Sequence, residues 1–133
     1  MYDIQINCES RYKVNRKFIV GLLEKVLTEE QIRNPVSVSL LICGKRKIRE
    51  LSRRYLKAAE DHDVLSFAFS EVNKQFMEFP DGFLRLGEIA VCYPLAQEQA
   101  MEENTLVDEA VGDLARHGLY HLLGQNHEEE EYK

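Results

Sequence analysis

The sequence predicts one α/β domain over residues 1–133, α+β in character toward its C-terminus, with a small mixed four-stranded sheet packed with helices. Three observations lead there. The chain has 133 residues, enough for one core and too few for two. In its first half, short β-rich runs alternate with stretches of helical periodicity, the pattern of a sheet covered by crossover helices. In its last third only helical patterns remain, so the helices gather at the end. No repeat, low-complexity linker or glycine-rich phosphate loop interrupts this order.

The elements follow in turn. Tyr2, Ile4 and Ile6 alternate with polar residues and form a first strand. Phe18, Ile19, Leu22, Leu23, Val26 and Leu27 recur at helical spacing, with Asn15 as the N-cap. Asn34-Pro35 stops that helix, because proline disfavours a helical residue before it. Val36–Cys43 is β-rich and nearly continuous in its second half, as a central strand is. Gly44 turns the chain into a second helix that places Ile48, Leu51 and Tyr55 inward. Residues 63–69 form a third strand. Residues 70–83 are a loop around the turn signal Pro80-Asp81-Gly82. Residues 86–92 are a fourth strand, and Pro94 starts the next helix in its first turn. Residues 105–123 are the long final helix, with Val107, Ala110, Val111, Leu114 and Leu122 on its apolar side. The acidic tail 128–131 is expected to fray.

Composition bounds the function. No apolar run approaches the roughly 20 residues that span a bilayer. Residues 1–7 lack the basic patch and apolar stretch of a secretory signal, so a cytoplasmic location is expected. Cys8, Cys43 and Cys92 are odd in number, far apart and without a C-x-x-C pair. They read as small buried hydrophobes of a reducing compartment. The net charge of −6 does not announce a nucleic-acid binder. Yet residues 44–57 carry Lys45, Arg46, Lys47, Arg49, Arg53, Arg54 and Lys57 against the single acid Glu50, while residues 98–133 carry ten acids against Arg116 and Lys133. A basic helix on an acidic protein reads either as an electrostatic footprint for phosphates or as a solvated face.

The chemistry concentrates between His117 and His127. His117 and His121 are four residues apart on the final helix, so they stack on one face and reach one metal ion. Gly124 is placed just past the helix end, where a left-handed turn brings His127 back toward the same ion. Three neutral imidazoles leave the fourth tetrahedral position open, the pattern of a catalytic zinc, with one ion per chain. Three of the four histidines fall within these eleven residues. Nickel, iron and copper accept the same donors. The spacing is also that of metzincin proteases, which require a glutamate directly after the first histidine as general base. That position is Gly118, which moves no proton, so peptide hydrolysis of that type is disfavoured.

This segment resembles the H-G-x-x-H-L-x-G-x-D-H signature of the YbeY family of bacterial ribosomal-RNA maturation factors, which are metal-dependent endoribonucleases. It matches at His117, Gly118, His121, Leu122, Gly124 and His127. Asp63-Val64-Leu65-Ser66-Phe67 is similar to the family's T-D-V-L-S-F strand, and Leu86-Gly87-Glu88-Ile89 to its L-G-D-I strand. The likeness covers roughly residues 36–128. It implies a single α/β domain with the metal at the end of the last long helix, held by His117, His121 and His127. It also implies cleavage of RNA, trimming of ribosomal RNA precursors and ribosome quality control, with the small ribosomal subunit as partner and no DNA or membrane. The chain departs from the family pattern at four places. Leu56 stands where the family has an arginine after the tyrosine of Y-R-G-K-D, and the following segment lacks its usual pattern. Asn126 replaces the motif aspartate, Glu88 the strand aspartate, and His62 the threonine before Asp63.

A phosphodiester gains negative charge in its transition state, so a nearby cation assists. Lys57, one place past the absent arginine, is the candidate catalytic cation, acting as a point charge without a bidentate fork. Arg53 and Arg54 are candidate substrate-binding residues on the preceding helix. Glu88 is a second catalytic candidate, orienting the metal-bound water or an imidazole. His62 is a candidate proton shuttle. The competing expectation is a zinc-stabilised module that binds RNA or the ribosome without cutting.

Overall fold

The apolar run Val36–Cys43 forms β2 in the interior of a four-stranded sheet, in a computed structural model that describes residues 2–56, 61–68 and 84–124. β1 (Tyr2–Cys8) and β4 (Leu84–Cys92) flank it, both parallel to it. β3 (Val64–Ala68) pairs antiparallel with β4, giving the order β1-β2-β4-β3. The helices of the described residues are α1 (Arg16–Glu29), α2 (Lys45–Leu56), α3 (Tyr93–Glu103) and α4 (Val107–Gly124). The mixed four-stranded sheet and its helical cover are those the sequence predicts. The loop expected at 70–83, residue 69 of the third strand and the tail 128–131 lie outside the described residues.

Side chains alternate faces along a strand, and each face has its own core. On one face Val36, Val38, Leu40, Ile42, Ile89 and Val91 pack with Ile19 and Leu23 of α1 and Leu119 and Leu122 of α4. Each such fully buried aliphatic side chain contributes roughly 1.5–3 kcal/mol, so this face holds the fold together. On the other face Leu41, Cys43, Leu65, Phe67, Ala90 and Cys92 pack with Ile48 and Leu51 of α2. Tyr55 turns to the same side and sets its ring on Phe67 at the rim of this core, yet stays 43% exposed, while Ser52 is fully buried. β3 is a five-residue edge strand, so the last turn of α2 meets Phe67 on one side and solvent on the other.

Local signals explain most helix ends. Asn15 caps α1, its side chain accepting from the Phe18 amide. Pro94 lies in the first turn of α3. α1, however, ends five residues before Asn34. Gln31 takes φ 61, its amide donates to Thr28 and the Ile32 amide donates to Leu27. These two bonds make a Schellman turn, so a left-handed glutamine, not the proline, terminates the helix. β4 starts two residues before the predicted strand. Gly124 is the last residue of α4 and not the residue after it.

Cys43 and Cys92 are in register at the carboxyl ends of β2 and β4, both fully buried. Burial, reinforced by Glu9 and Cys92, pushes the Cys43 thiol up to about 12. Cys8 is half-buried, and its thiol donates to the Tyr12 carbonyl at 3.2 Å. All three thiols are free, as expected of small packing residues.

A bulge shapes the start of β4. Ser37 pairs with Arg85 and Val38 with Gly87, leaving Leu86 as the extra residue. Gly87 has φ 151, and a Cβ there would lie 2.2 Å from the Phe67 carbonyl oxygen. Backbone cannot yield to that overlap. Gly87→Ala is therefore expected to cost about 2–4 kcal/mol, read as a lower urea midpoint with an unchanged slope.

Candidate metal centre

Gly118 lets α4 lie directly on the sheet. A Cβ at that residue would sit 2.6 Å from Ile89 Cγ2 and 3.4 Å from Val64 Cγ2. One turn on, Leu122 reaches the bulge, its Cδ2 lying 3.1 Å from where a Gly87 Cβ would be. α4 therefore runs antiparallel to β4, with its last turn over Gly87. Its other close approach is to α1, where a Cβ at Gly112 would lie 2.5 Å from Leu22 Cδ1.

These contacts orient the histidines. At about 100° per residue, Gly118 faces the sheet, Gly112 faces α1, and His117 and His121 fall on the opposite flank, toward the β3 edge. His117 is exposed and His121 half-buried. One turn apart, their Cβ atoms are about 5–6 Å from each other. They stand in the last two turns of α4, where the carbonyl end of the helix dipole favours a cation.

The same geometry changes the meaning of Gly118. Read from the sequence, it is a missing general base. In the fold it is buried and faces Ile89 and Val64. A carboxylate there would point into the core, away from the flank that carries the imidazoles.

α2 reaches the same edge strand from the other face. The Tyr55 ring lies 4.7 Å from the Phe67 ring, and the Arg54 guanidinium stands 5.9 Å over Tyr55. Arg53 and Arg54 are exposed. Glu88 is half-buried and in register with both Ser39 and Phe67. It alternates with Ile89, which lies under α4, and shares its side with Ala90, which lies under α2. The structure thus brings Glu88 to the face of Arg53 and Arg54, and His117 and His121 to the opposite face, with β3 between. His62 is half-buried just before β3. Beside it Asp61 accepts from Arg49 at 2.6 Å, and that hydrogen bond holds the Asp61 carboxyl below its ordinary range.

Lys57 and His127 lie outside the described residues. Among the described residues there is no group of three His, Cys, Asp or Glu side chains arranged around a common point, and no helix is long and apolar enough to cross a membrane. Sequence reasoning missed Tyr55 as an exposed aromatic beside the edge strand. The signal available was its place at the end of a helix whose apolar face is only two large residues wide.

The family model described as Endoribonuclease YbeY matches residues 3–133 of the chain. A protein of Bacillus mycoides named endoribonuclease YbeY is 36% identical over 115 residues, covering 85% of this chain and 74% of its own. One of Malacoplasma penetrans with the same name is 31% identical over 138 residues, covering 98% and 85%. The solution structure of a Thermotoga maritima protein superposes with a TM-score of 0.56 at 25% identity, covering 96% of this chain and 75% of that one.

Proposed function

Because the chain belongs to the YbeY endoribonuclease family, we propose that it is a zinc-dependent endoribonuclease that cuts single-stranded RNA, with ribosomal RNA precursors as substrate. The observation that carries this reading is the pair His117 and His121, one turn apart on the solvent flank of α4. The donors fit the metal. Both lie on one side of one helix, and the helix end supplies a favourable field.

His117, His121 and His127 would hold one zinc ion per chain. When bound, zinc would lower the pKa of a water to about 7 and polarise a phosphoryl oxygen. The remaining work falls to the chain's own side chains. Arg53 and Arg54 bind substrate phosphates at the end of α2. Lys57 follows that helix and places a positive charge against the non-bridging oxygens of the scissile phosphate, where charge builds in the transition state. Glu88 lies on the α2 face, away from the imidazoles, and adds its charge on the side of Arg53 and Arg54. The proposed setting is the cytoplasm, with the small ribosomal subunit as partner and quality control of ribosomes as the wider role.

Leu56 supports a second reading. It is 51% exposed at the position of the family's arginine, as in a protein that kept RNA binding and lost turnover. One assay separates the two. Purified protein is incubated with an unstructured oligoribonucleotide, with and without chelator, beside Lys57→Ala. Chelation is expected to stop cleavage, zinc to restore it, and Lys57→Ala to lower kcat by about 10²-fold. Salt-sensitive RNA binding with no cleavage in any sample would leave the binding module as the function.

A further inference from the structure

We propose that Tyr120 stacks an unpaired RNA base beside the metal centre, and that this ring selects single strands over duplex. This rests on the nuclease reading for its substrate class. It names a group that the site recognises besides phosphate.

The side chains of α4 that reach solvent form one stripe. Among the described residues from Asp113 to Gly124 they are Asp113, Arg116, His117, Tyr120 and His121, and the rest are buried. One exposed tyrosine on a protein surface is ordinary. The place of this one is not. Tyr120 is 41% exposed and stands between the two imidazoles in sequence, three residues after His117 and one before His121.

Helix geometry sets its surroundings. Residues three apart have Cβ atoms about 5–6 Å from each other. At about 100° per residue, Tyr120 and His121 stand about 60° and 40° to either side of His117. Long side chains on a helix lean toward its N-terminus, over the residues three and four before them. The Tyr120 ring therefore leans over the turn that carries Arg116 and His117, and His121 leans onto His117 from the other side. Arg116 leans the same way and donates to Asp113 Oδ1 at 2.8 Å, one turn further back. Ring and imidazoles thus share one exposed surface, where a single nucleotide can set its phosphate at the imidazoles and its base on the ring.

Such a ring does what phosphate contacts do not. Phosphates are present on duplex and single strand alike, and their contacts position a nucleic acid without reading it. A base inside a duplex is stacked on both faces, so an aromatic side chain accepts only a base that is splayed out. Every base has a π-face, so the preference is for single strands and not for a sequence.

The test is equilibrium binding to the full chain in chelator, so that no strand is cut. The ligands are an unstructured RNA dodecamer, the same strand in duplex, and inorganic polyphosphate. Tyr120→Leu is expected to weaken single-strand binding about five- to hundredfold, to leave duplex binding unchanged, and to bind zinc as tightly as the wild type. Tyr120→Phe should keep the single-strand affinity, because the ring and not the hydroxyl does the stacking. The chain contains no tryptophan, so Tyr120→Trp supplies one indole signal, which the single strand should quench and polyphosphate should not. Wild-type single-strand affinity in Tyr120→Leu would overturn the proposal. So would an equal loss on duplex, equal quenching by polyphosphate, or lost zinc binding in Tyr120→Leu. A chain that stacks RNA in this way yet never cuts it loses the nuclease reading and keeps the stacking site. A chain that cuts RNA while Tyr120→Leu binds normally loses the stacking site alone.

Discussion

Gly118→Glu, which completes the metzincin spacing, is expected to lose about 3–5 kcal/mol of stability and to gain no peptidase activity. The first Cβ atom would already meet Ile89 Cγ2 at 2.6 Å. Ile89 is fully buried and β-branched, so it has no rotamer to retreat into. The rest of the side chain would carry a carboxyl into the seam between α4 and the sheet without a partner. Burial raises the folded pKa of such a group above its unfolded value of about 4.3. The deficit is therefore smallest below pH 4 and grows as pH rises toward the folded pKa. Urea midpoints at pH 4 and pH 8 check both size and sign. Unchanged stability at pH 8 would mean that α4 does not lie on β4 as described.

His117→Ala/His121→Ala is expected to abolish tight zinc binding and to lower RNA cleavage by about 10³-fold or more, since the activated water is lost with the ion. The metal-free fold should persist. Both side chains reach solvent on the flank of α4, and substitutions at such positions usually stay within about 0.5 kcal/mol. Holoprotein stability should fall, because an ion that binds only the folded state stabilises it by mass action. Thermal unfolding with and without zinc separates the two effects. Added zinc should raise the wild-type midpoint and leave that of the double variant unchanged.

What was legible in the sequence was local. Asn15, Pro94 and the apolar run of β2 act within a few residues of themselves, so their elements follow from periodicity and caps. The pair His117 and His121 was legible for the same reason, because four residues on a helix share a face whatever packs against it. What was not legible depended on partners distant in the chain. The end of α1 uses a left-handed glutamine where glycine is the usual signal. The bulge at Leu86 adjoins Gly87, where a Cβ would overlap the Phe67 carbonyl of β3, and nothing in Leu86-Gly87-Glu88 announces that neighbour. Glu88 shows the consequence. Strand residues change face at every step, so assigning Glu88 to the histidines required knowing which of its neighbours lies under α4. Gly118 reads from sequence as an absent catalytic group and from packing as the point where helix and sheet touch.

Titration of zinc into metal-stripped full-length chain, with RNA cleavage as the readout, tests the metal centre most directly. One ion held by His117, His121 and His127 predicts no cleavage at zero zinc, a linear rise, and a plateau at one equivalent per chain. Full cleavage by the metal-stripped protein, or no cleavage at any zinc level, would contradict it.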